Sequence, residues 1–113
     1  KPYSEMIHDP DIAGCFKHNS ELLGRCFPDI GSGQQKVVAS TDMGNVSLAV
    51  PSIQPMIGID SFPAVNHQRE FTAHCITAAA DQALYDGALA MAWTAVDLAV
   101  DERIRTRLLS GKR

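Results

Sequence analysis

The sequence lacks the short motifs by which a small chain can carry a whole catalytic centre. It contains no HExxH or HxD grouping and no Glu-Glu pair, so it does not supply the several ligands that a complete hydrolytic zinc or two-metal site requires. It has no GxSxG nucleophile elbow and no glycine-rich phosphate loop after a strand. Its three cysteines form no CxxC pair, which is typical of reduced thiols, so we expect a cytoplasmic protein.

Charge and hydropathy exclude two further classes. The 113 residues are 45% hydrophobic and carry a net charge of -3, which is typical of one globular domain or a piece of one and argues against binding to nucleic acid. The most apolar run, Gly87–Val96, is flanked by Asp86 and Asp97. A membrane span needs about 20 apolar residues, so we predict that the chain does not enter a membrane.

Two helices are indicated by their start signals. Asp9-Pro10 combines a capping side chain with a proline suited to the first helical turn, and apolar residues then recur near a 3.6 period over 11–26. Thr77 can cap a long helix that runs to about Val100 and extends, or kinks, toward Leu109.

The long helix carries apolar residues on most of its circumference. One stripe comprises Ile76, Ala80, Leu84, Ala88, Met91, Ala95 and Leu98, and a second comprises Tyr85, Leu89, Trp93, Val96 and Val100. Such a helix packs against more than one neighbour. The rest of the chain offers too little structure to cover it, so we predict an incomplete domain.

Two short apolar segments predict buried strands. They lie at 36–39 and 56–59, and between them 43–50 is ambiguous between helix and strand. Strands flanked by helices favour an α/β fold with a central, parallel sheet. The polar triplet Ser40-Thr41-Asp42 follows the first strand, where α/β proteins place ligand-contacting groups.

His67 is the histidine best placed for chemistry. It lies in an irregular stretch between the second predicted strand and the long helix, so rigid elements at both ends could aim its imidazole. His8 and His18 suit the surface. His74 is adjacent to Cys75, and neighbouring residues rarely converge on one ion. From the residues alone, a lone histidine in a loop is more often structural than a metal ligand.

Three ordered motifs carry a resemblance to a known family. They are S-T-D-M-G-N-V-S at 40–47, V-P-S-I-Q-P at 50–55 and N-H-Q-R-E-F at 66–71. Together they resemble the C-terminal part of the dinuclear zinc peptidase and amidohydrolase family, which includes aminoacylase, glutamate carboxypeptidase and p-aminobenzoyl-glutamate hydrolase. The match is best with the amidohydrolase and dipeptidase-like branch and extends over about 3–98.

The resemblance implies a role for four residues. His67 matches the last metal ligand of the family, and Ser40, Thr41 and Asp42 match a polar loop beside the active site. The family holds two divalent metal ions, typically zinc, and its general base, bridging carboxylate and other ligands precede the lid and dimerisation domain. None of those would lie in this chain. The sequence departs from the family pattern at Gln54, where His is common, and at Gln68, where Thr is common.

The resemblance also implies a function for the larger protein. Residues 1–113 would be the C-terminal segment of a zinc-exopeptidase-like catalytic domain, with 1–8 as a tail or the end of the linker from the lid. The expected partners are the preceding part of the same polypeptide, a second copy in a homodimer, and an amide or peptide substrate such as a dipeptide or an N-acyl amino acid. The chain alone is expected to be inactive. The alternative is a non-catalytic module that docks through its apolar helix.

Overall fold

Helix α1 spans Pro10–Leu22 in the computed structural model, which describes residues 4–27 and 41–111. Asp9 caps it, since its carboxylate accepts a hydrogen bond from the Ile12 N–H at 3.1 Å. The helix ends earlier than the predicted residue 26 because Gly24 adopts a left-handed φ of 82°. The Arg25 N–H then bonds back to the Ser20 carbonyl at 3.0 Å, a typical glycine-terminated helix end.

Helix α4 spans Ala78–Val100, which confirms the predicted long helix and its cap. The Thr77 hydroxyl accepts the Ala80 N–H at 3.2 Å. The expected continuation toward Leu109 is a separate helix, α5, at Glu102–Leu109. Asp101 separates the two, because its backbone is extended and its carboxylate accepts the Ile104 N–H at 2.8 Å. Asp101 therefore ends one helix and caps the next.

Two short helices occupy the middle of the chain. Helix α2, Met43–Ala49, resolves the segment that was ambiguous between helix and strand. Helix α3, Arg69–His74, lies in the stretch between the second predicted strand and the long helix, which the sequence predicts to be irregular.

The predicted α/β fold is wrong for the described part of the chain, which is all-helical and contains no strand or sheet. The apolar segment 56–59 is non-helical, yet no ladder partner lies beside it in the described residues. Ile57 instead reaches α4, where its Cδ1 lies 3.5 Å from the position of a Cβ on Gly87. The predicted burial of this segment is wrong as well, because Met56 is 73% exposed and Ile57 and Ile59 are only half-buried in the described part of the chain. The other predicted strand, 36–39, lies outside the described residues.

The interface between α1 and α4 is polar at its centre. The Asn19 side-chain amide donates to Thr94 Oγ1 at 3.3 Å and to Asp97 Oδ2 at 2.7 Å. Asn19, Ser20 and Thr94 are buried, although the sequence pattern places Asn19 and Ser20 on the solvent side of α1. Ala83 and Ala90 are fully buried and allow the two helices to approach closely.

A partly buried ion pair joins the residues that follow α1 to α4, and a further hydrogen bond reaches the non-helical chain at Gly58. Arg25 lies beyond the end of α1, and its Nε and Nη2 each approach Asp86 Oδ2 at 2.8 Å. Gln82 donates to the other carboxylate oxygen of Asp86 at 2.7 Å. Arg25 also donates to the Gly58 carbonyl at 3.1 Å. Arg25 thus fixes the position of the chain nine residues before His67.

The opposite side of α4 is apolar and uncovered in the described part of the chain. Its large side chains are exposed, with Leu84 at 75%, Tyr85 at 66% and Val96 at 58%. We define the apolar face of α4 as Leu84, Tyr85, Ala88, Met91, Ala92, Ala95, Val96, Ala99 and Val100. None of these residues is charged, whereas the buried side of the helix holds Asp86. In the described part of the chain α4 therefore buries small and polar side chains and exposes its large apolar ones.

By length and composition alone, α4 could cross a membrane. The same test is passed by core helices of soluble proteins, and the Asp86 ion pair near its centre fits a protein environment better than lipid. That the chain does not enter a membrane stays a prediction.

Of the three free thiols, only Cys15 is partly buried, while Cys26 and Cys75 are exposed. Burial raises the pKa of the Cys15 thiol, with a further contribution from the nearby Asp97 carboxylate. The cytoplasmic location stays a prediction.

Arg107 ties α5 to the start of α1. Its guanidinium donates two hydrogen bonds to the Asp9 carboxylate, at 2.9 and 2.7 Å, and one to Asp11 Oδ2 at 2.8 Å. The hydrogen bonds from Arg107 hold the pKa of Asp9 below its usual value, and the capped Ile12 N–H acts in the same direction. Asp9 is buried and so links the two helices from within the structure.

This arrangement predicts a specific pH dependence of stability. Because the folded-state pKa of Asp9 is depressed, its contribution is complete above the unfolded value of about 3.9 and is lost as the pH falls through the lower folded value. Asp9→Asn keeps a capping side chain but removes the charge. We expect the variant to have a lower free energy of unfolding than the wild type at pH 6, and the gap to narrow toward pH 2.

Urea unfolding of the full-length protein at several pH values measures this gap. Glu21→Gln is the control, because Glu21 forms only an exposed pair with Lys17 at 3.8 Å. A gap that stays constant from pH 6 to pH 2 would show that the Asp9 carboxylate has no such role.

Candidate functional site

His67 lies in a loop that is held by hydrogen bonds between its own residues. The Ser61 hydroxyl donates to the Ala64 carbonyl and the Ala64 N–H donates to the Ser61 carbonyl, both at 2.8 Å. The Val65 N–H then donates to the side-chain oxygen of Gln68 at 3.0 Å. The chain is therefore held on both sides of His67, and Gln68, a departure from the family pattern, has a structural role here.

The backbone of His67 adopts a left-handed conformation with φ of 67°. Such values are uncommon for residues other than glycine, although His, Asn and Asp tolerate them better than most. A residue in this region carries strain that often accompanies a functional site. His67 is exposed in the described part of the chain, so its imidazole is free to meet groups outside it. This geometry suits the predicted role of a metal ligand, which stays a prediction.

The predicted polar loop is only partly described. Ser40 lies outside the described residues. Thr41 is half-buried, and its hydroxyl accepts the Met43 N–H at 3.3 Å at the start of α2. Asp42 is exposed in the N-cap position of α2 and makes no side-chain capping bond. Its carboxylate therefore remains available to other groups.

Within 4–27 and 41–111 the predicted site residues do not form one assembled centre. No hydrogen bond or ion pair there joins Thr41 or Asp42 to His67. Nor does this part of the chain bring together three or more His, Cys, Asp or Glu side chains that could hold a metal ion. The described residues can supply His67 as one ligand, and a complete site would need ligands from elsewhere.

Two residues of the first motif have a role that sequence reasoning missed. Gly44 and Ser47 are buried beneath the extended segment that begins at Ser4. A Cβ on Gly44 would overlap the Ser4 carbonyl oxygen. The Ser47 hydroxyl accepts the Ile7 N–H at 3.0 Å and donates to the Gly44 carbonyl at 2.7 Å. This part of the motif therefore holds a neighbouring piece of backbone, and only the close approach seen in the structure reveals it.

Gly44→Ala should destabilise the full-length protein, because the added methyl group has no room beside the backbone of Ser4. Overpacking of this kind costs about 1–3 kcal/mol. Gly14→Ala is the matched control, since a Cβ there meets nothing within 4 Å and alanine favours a helix by about 0.5–1 kcal/mol. Chemical unfolding of both variants measures the difference. Equal stability of the two would contradict the close approach at Gly44.

A cavity of about 520 Å³ that is widely open to solvent lies beside the His67 loop. It is lined by Pro63, Ala64, Gln68, Glu70 and His74. His67 is not among the lining residues, although the cavity walls come from the chain on both sides of it.

Comparison with known proteins places the chain near a peptidase. It is 32% identical over 113 aligned residues to an Xaa-Arg dipeptidase of Mus musculus. The alignment covers 98% of this chain and 25% of that protein, so the chain spans about a quarter of the length of the curated relative it matches. No protein-family model and no solved structure matches the chain. The similarity supports a peptidase or related hydrolase.

Proposed function

We propose that this chain is the C-terminal segment of the catalytic domain of a metal-dependent hydrolase that cleaves an amide bond in a dipeptide, an N-acyl amino acid or a related conjugate. The observation that carries the proposal is the similarity to a dipeptidase along nearly the whole chain. The hydrogen-bonded loop around His67 supports the proposal, because His67, which matches the metal ligand of the family, has a left-handed backbone conformation.

In this proposal His67 is one ligand to a pair of divalent ions, expected to be zinc. When bound, such ions polarise a carbonyl group and bring the pKa of a coordinated water toward about 7. The residues of this chain contribute by holding the His67 loop in position. Gln68 holds the loop by accepting a hydrogen bond from the Val65 N–H, and Arg25 holds the preceding segment by donating to the Gly58 carbonyl. The general base and the remaining ligands would come from other parts of the polypeptide.

The apolar face of α4 supports the proposal that the chain needs the rest of a larger domain. The alanines between its large side chains leave room for another element to approach closely, as Ala83 and Ala90 do on the buried side. We propose that the preceding part of the same polypeptide covers it. A homodimer of the full-length protein in the cytoplasm belongs to the same proposal.

The direct test is to purify the full-length protein, measure its metal content by mass spectrometry and assay amide hydrolysis. The substrate panel contains neutral dipeptides, N-acyl amino acids and Xaa-Arg dipeptides, the class named by the relative. We expect about two equivalents of divalent metal, hydrolysis of at least one class, and loss of activity on chelation. The isolated 113-residue chain is expected to be inactive. A metal-free protein that cleaves nothing in the panel would refute the proposal.

A second function is favoured by the same apolar face. An uncharged, exposed helix surface also suits a non-catalytic module that docks on another protein. The coding sequence upstream of Lys1 separates the two. An HxD motif followed by Glu-Glu would support the hydrolase, and a stop codon with a separate start would support the module.

A further inference from the structure

The His67 loop is attached to α4 at its C-terminal end through the chain itself. After His67 the chain forms α3 and then enters α4 at the Thr77 cap. The Thr77 hydroxyl donates to the His74 carbonyl at 2.9 Å and accepts the Ala80 N–H at 3.2 Å, so one side chain closes the joint between the two helices. The position of this end of the loop therefore follows that of α4.

The N-terminal end of the loop is attached to the same helix through the side chain of Arg25. Gly58 lies nine residues before His67, and its carbonyl accepts a hydrogen bond from Arg25 Nη1 at 3.1 Å. The same guanidinium pairs with Asp86 of α4 through Nε and Nη2, each at 2.8 Å. Asp86 lies eight residues after Ala78, the first residue of α4, so the two attachments are about 12 Å apart along the helix.

The attachment depends on the shape of the arginine side chain. Three nitrogens of the Arg25 guanidinium bind two acceptors that lie on different parts of the chain. Gln82 donates to the other carboxylate oxygen of Asp86 at 2.7 Å, so the carboxylate that pairs with Arg25 is itself held in place. A lysine has a single nitrogen and cannot direct donors at both acceptors in this geometry.

We propose that Arg25 is a positioning residue for His67. The internal hydrogen bonds of the loop set its shape, and Arg25 sets its place on α4 by joining Gly58 to Asp86. The inference rests on the proposed function, because the group that requires an accurately placed imidazole is the metal ion that His67 would bind. Removal of a group that orients a metal ligand typically lowers metal affinity by about 10–100-fold.

The zinc affinity of the full-length protein, measured by competition with a chromophoric chelator, tests the proposal. Arg25→Lys keeps the positive charge beside Asp86 and gives up the bond to Gly58. We expect this variant to bind zinc about tenfold more weakly than the wild type. The effect lies at the lower end of the range because Ile57 still packs near Gly87 of α4.

Gln82→Ala is the matched control. It removes a hydrogen bond from the same Asp86 carboxylate and leaves the bond between Arg25 and Gly58. Its zinc affinity should equal that of the wild type. Chemical unfolding of both variants without metal shows how much stability each substitution costs, so that a change in zinc affinity can be compared with a change in stability.

Combining Arg25→Lys with His67→Ala separates positioning from a general loss of stability. If Arg25 acts through the imidazole, the lysine substitution should weaken zinc binding when His67 is present and cause no further loss when it is alanine. An equal loss in both backgrounds, no loss in Arg25→Lys, or the same loss in Gln82→Ala would each overturn this inference and leave the proposed function intact. A wild-type protein that binds no zinc would overturn both.

Discussion

Replacing His67 by alanine in the full-length protein should remove most of its bound metal and lower amide hydrolysis by more than about a hundredfold. Mutations of groups that merely orient a metal ligand already cost about 10–100-fold in metal affinity or activity, so loss of a ligand should cost more. Metal content by mass spectrometry and kcat/KM on the best substrate measure the two effects.

The left-handed turn at His67 calls for a second variant. Alanine removes the imidazole and also disfavours a φ of 67°, whereas asparagine tolerates that conformation. If the imidazole binds metal, His67→Asn should be as inactive as His67→Ala. If only the turn matters, the asparagine variant should recover activity. His18→Ala on the exposed side of α1 is the surface control. A fully metallated, fully active His67→Ala protein would end the assignment.

The helices that could be predicted from the sequence are those with capping signals. Asp9-Pro10 and Thr77 each mark a helix start in the sequence, and both side chains accept the expected backbone N–H. Apolar periodicity continues to Cys26 and so predicts a longer α1, whereas Gly24 ends the helix before that residue. Local hydrogen bonds are encoded locally, so they could be inferred without knowledge of the fold.

The predicted strand at 56–59 has no comparable local signal that could establish its secondary structure. A short apolar run does not report which element it packs against. In the described part of the chain Ile57 packs near Gly87 of α4, while Met56 is exposed. The expected sheet was inferred from two such runs, and sheet formation depends on pairing between distant residues, which periodicity does not report.

For the candidate site too, local sequence signals could be predicted and long-range contacts could not. His67 could be singled out from its motif and its place between rigid elements, but its left-handed turn and the Gln68 bond to Val65 depend on loop geometry. Gly44 and Ser47 belonged to a recognised motif, yet their contact with the segment from Ser4 to Ile7 spans some 40 residues of sequence. Long-range contacts of this kind give a motif residue its physical role.

The apolar stripes of α4 were predicted to be buried, and in the described residues most of their large side chains are exposed. Val96→Asp in the full-length protein therefore distinguishes a covered from an open surface. If the rest of the polypeptide covers the apolar face of α4, an unpaired carboxylate buried there should cost several kcal/mol and leave the protein aggregated or unfolded. Trp93→Ala, at the border of the same face, should then cost about 3–5 kcal/mol.

Thr106→Asp is the control for Val96→Asp, because it adds the same charge to an exposed position of α5 and should change stability by no more than about 0.5 kcal/mol. Thermal unfolding and size-exclusion chromatography of both variants measure the contrast. If Val96→Asp is as stable as Thr106→Asp, the face is open in the full-length protein and no preceding segment covers it. If that stable variant also loses a protein partner, the surface is a docking site, and the exposed apolar side chains of α4 serve association between molecules.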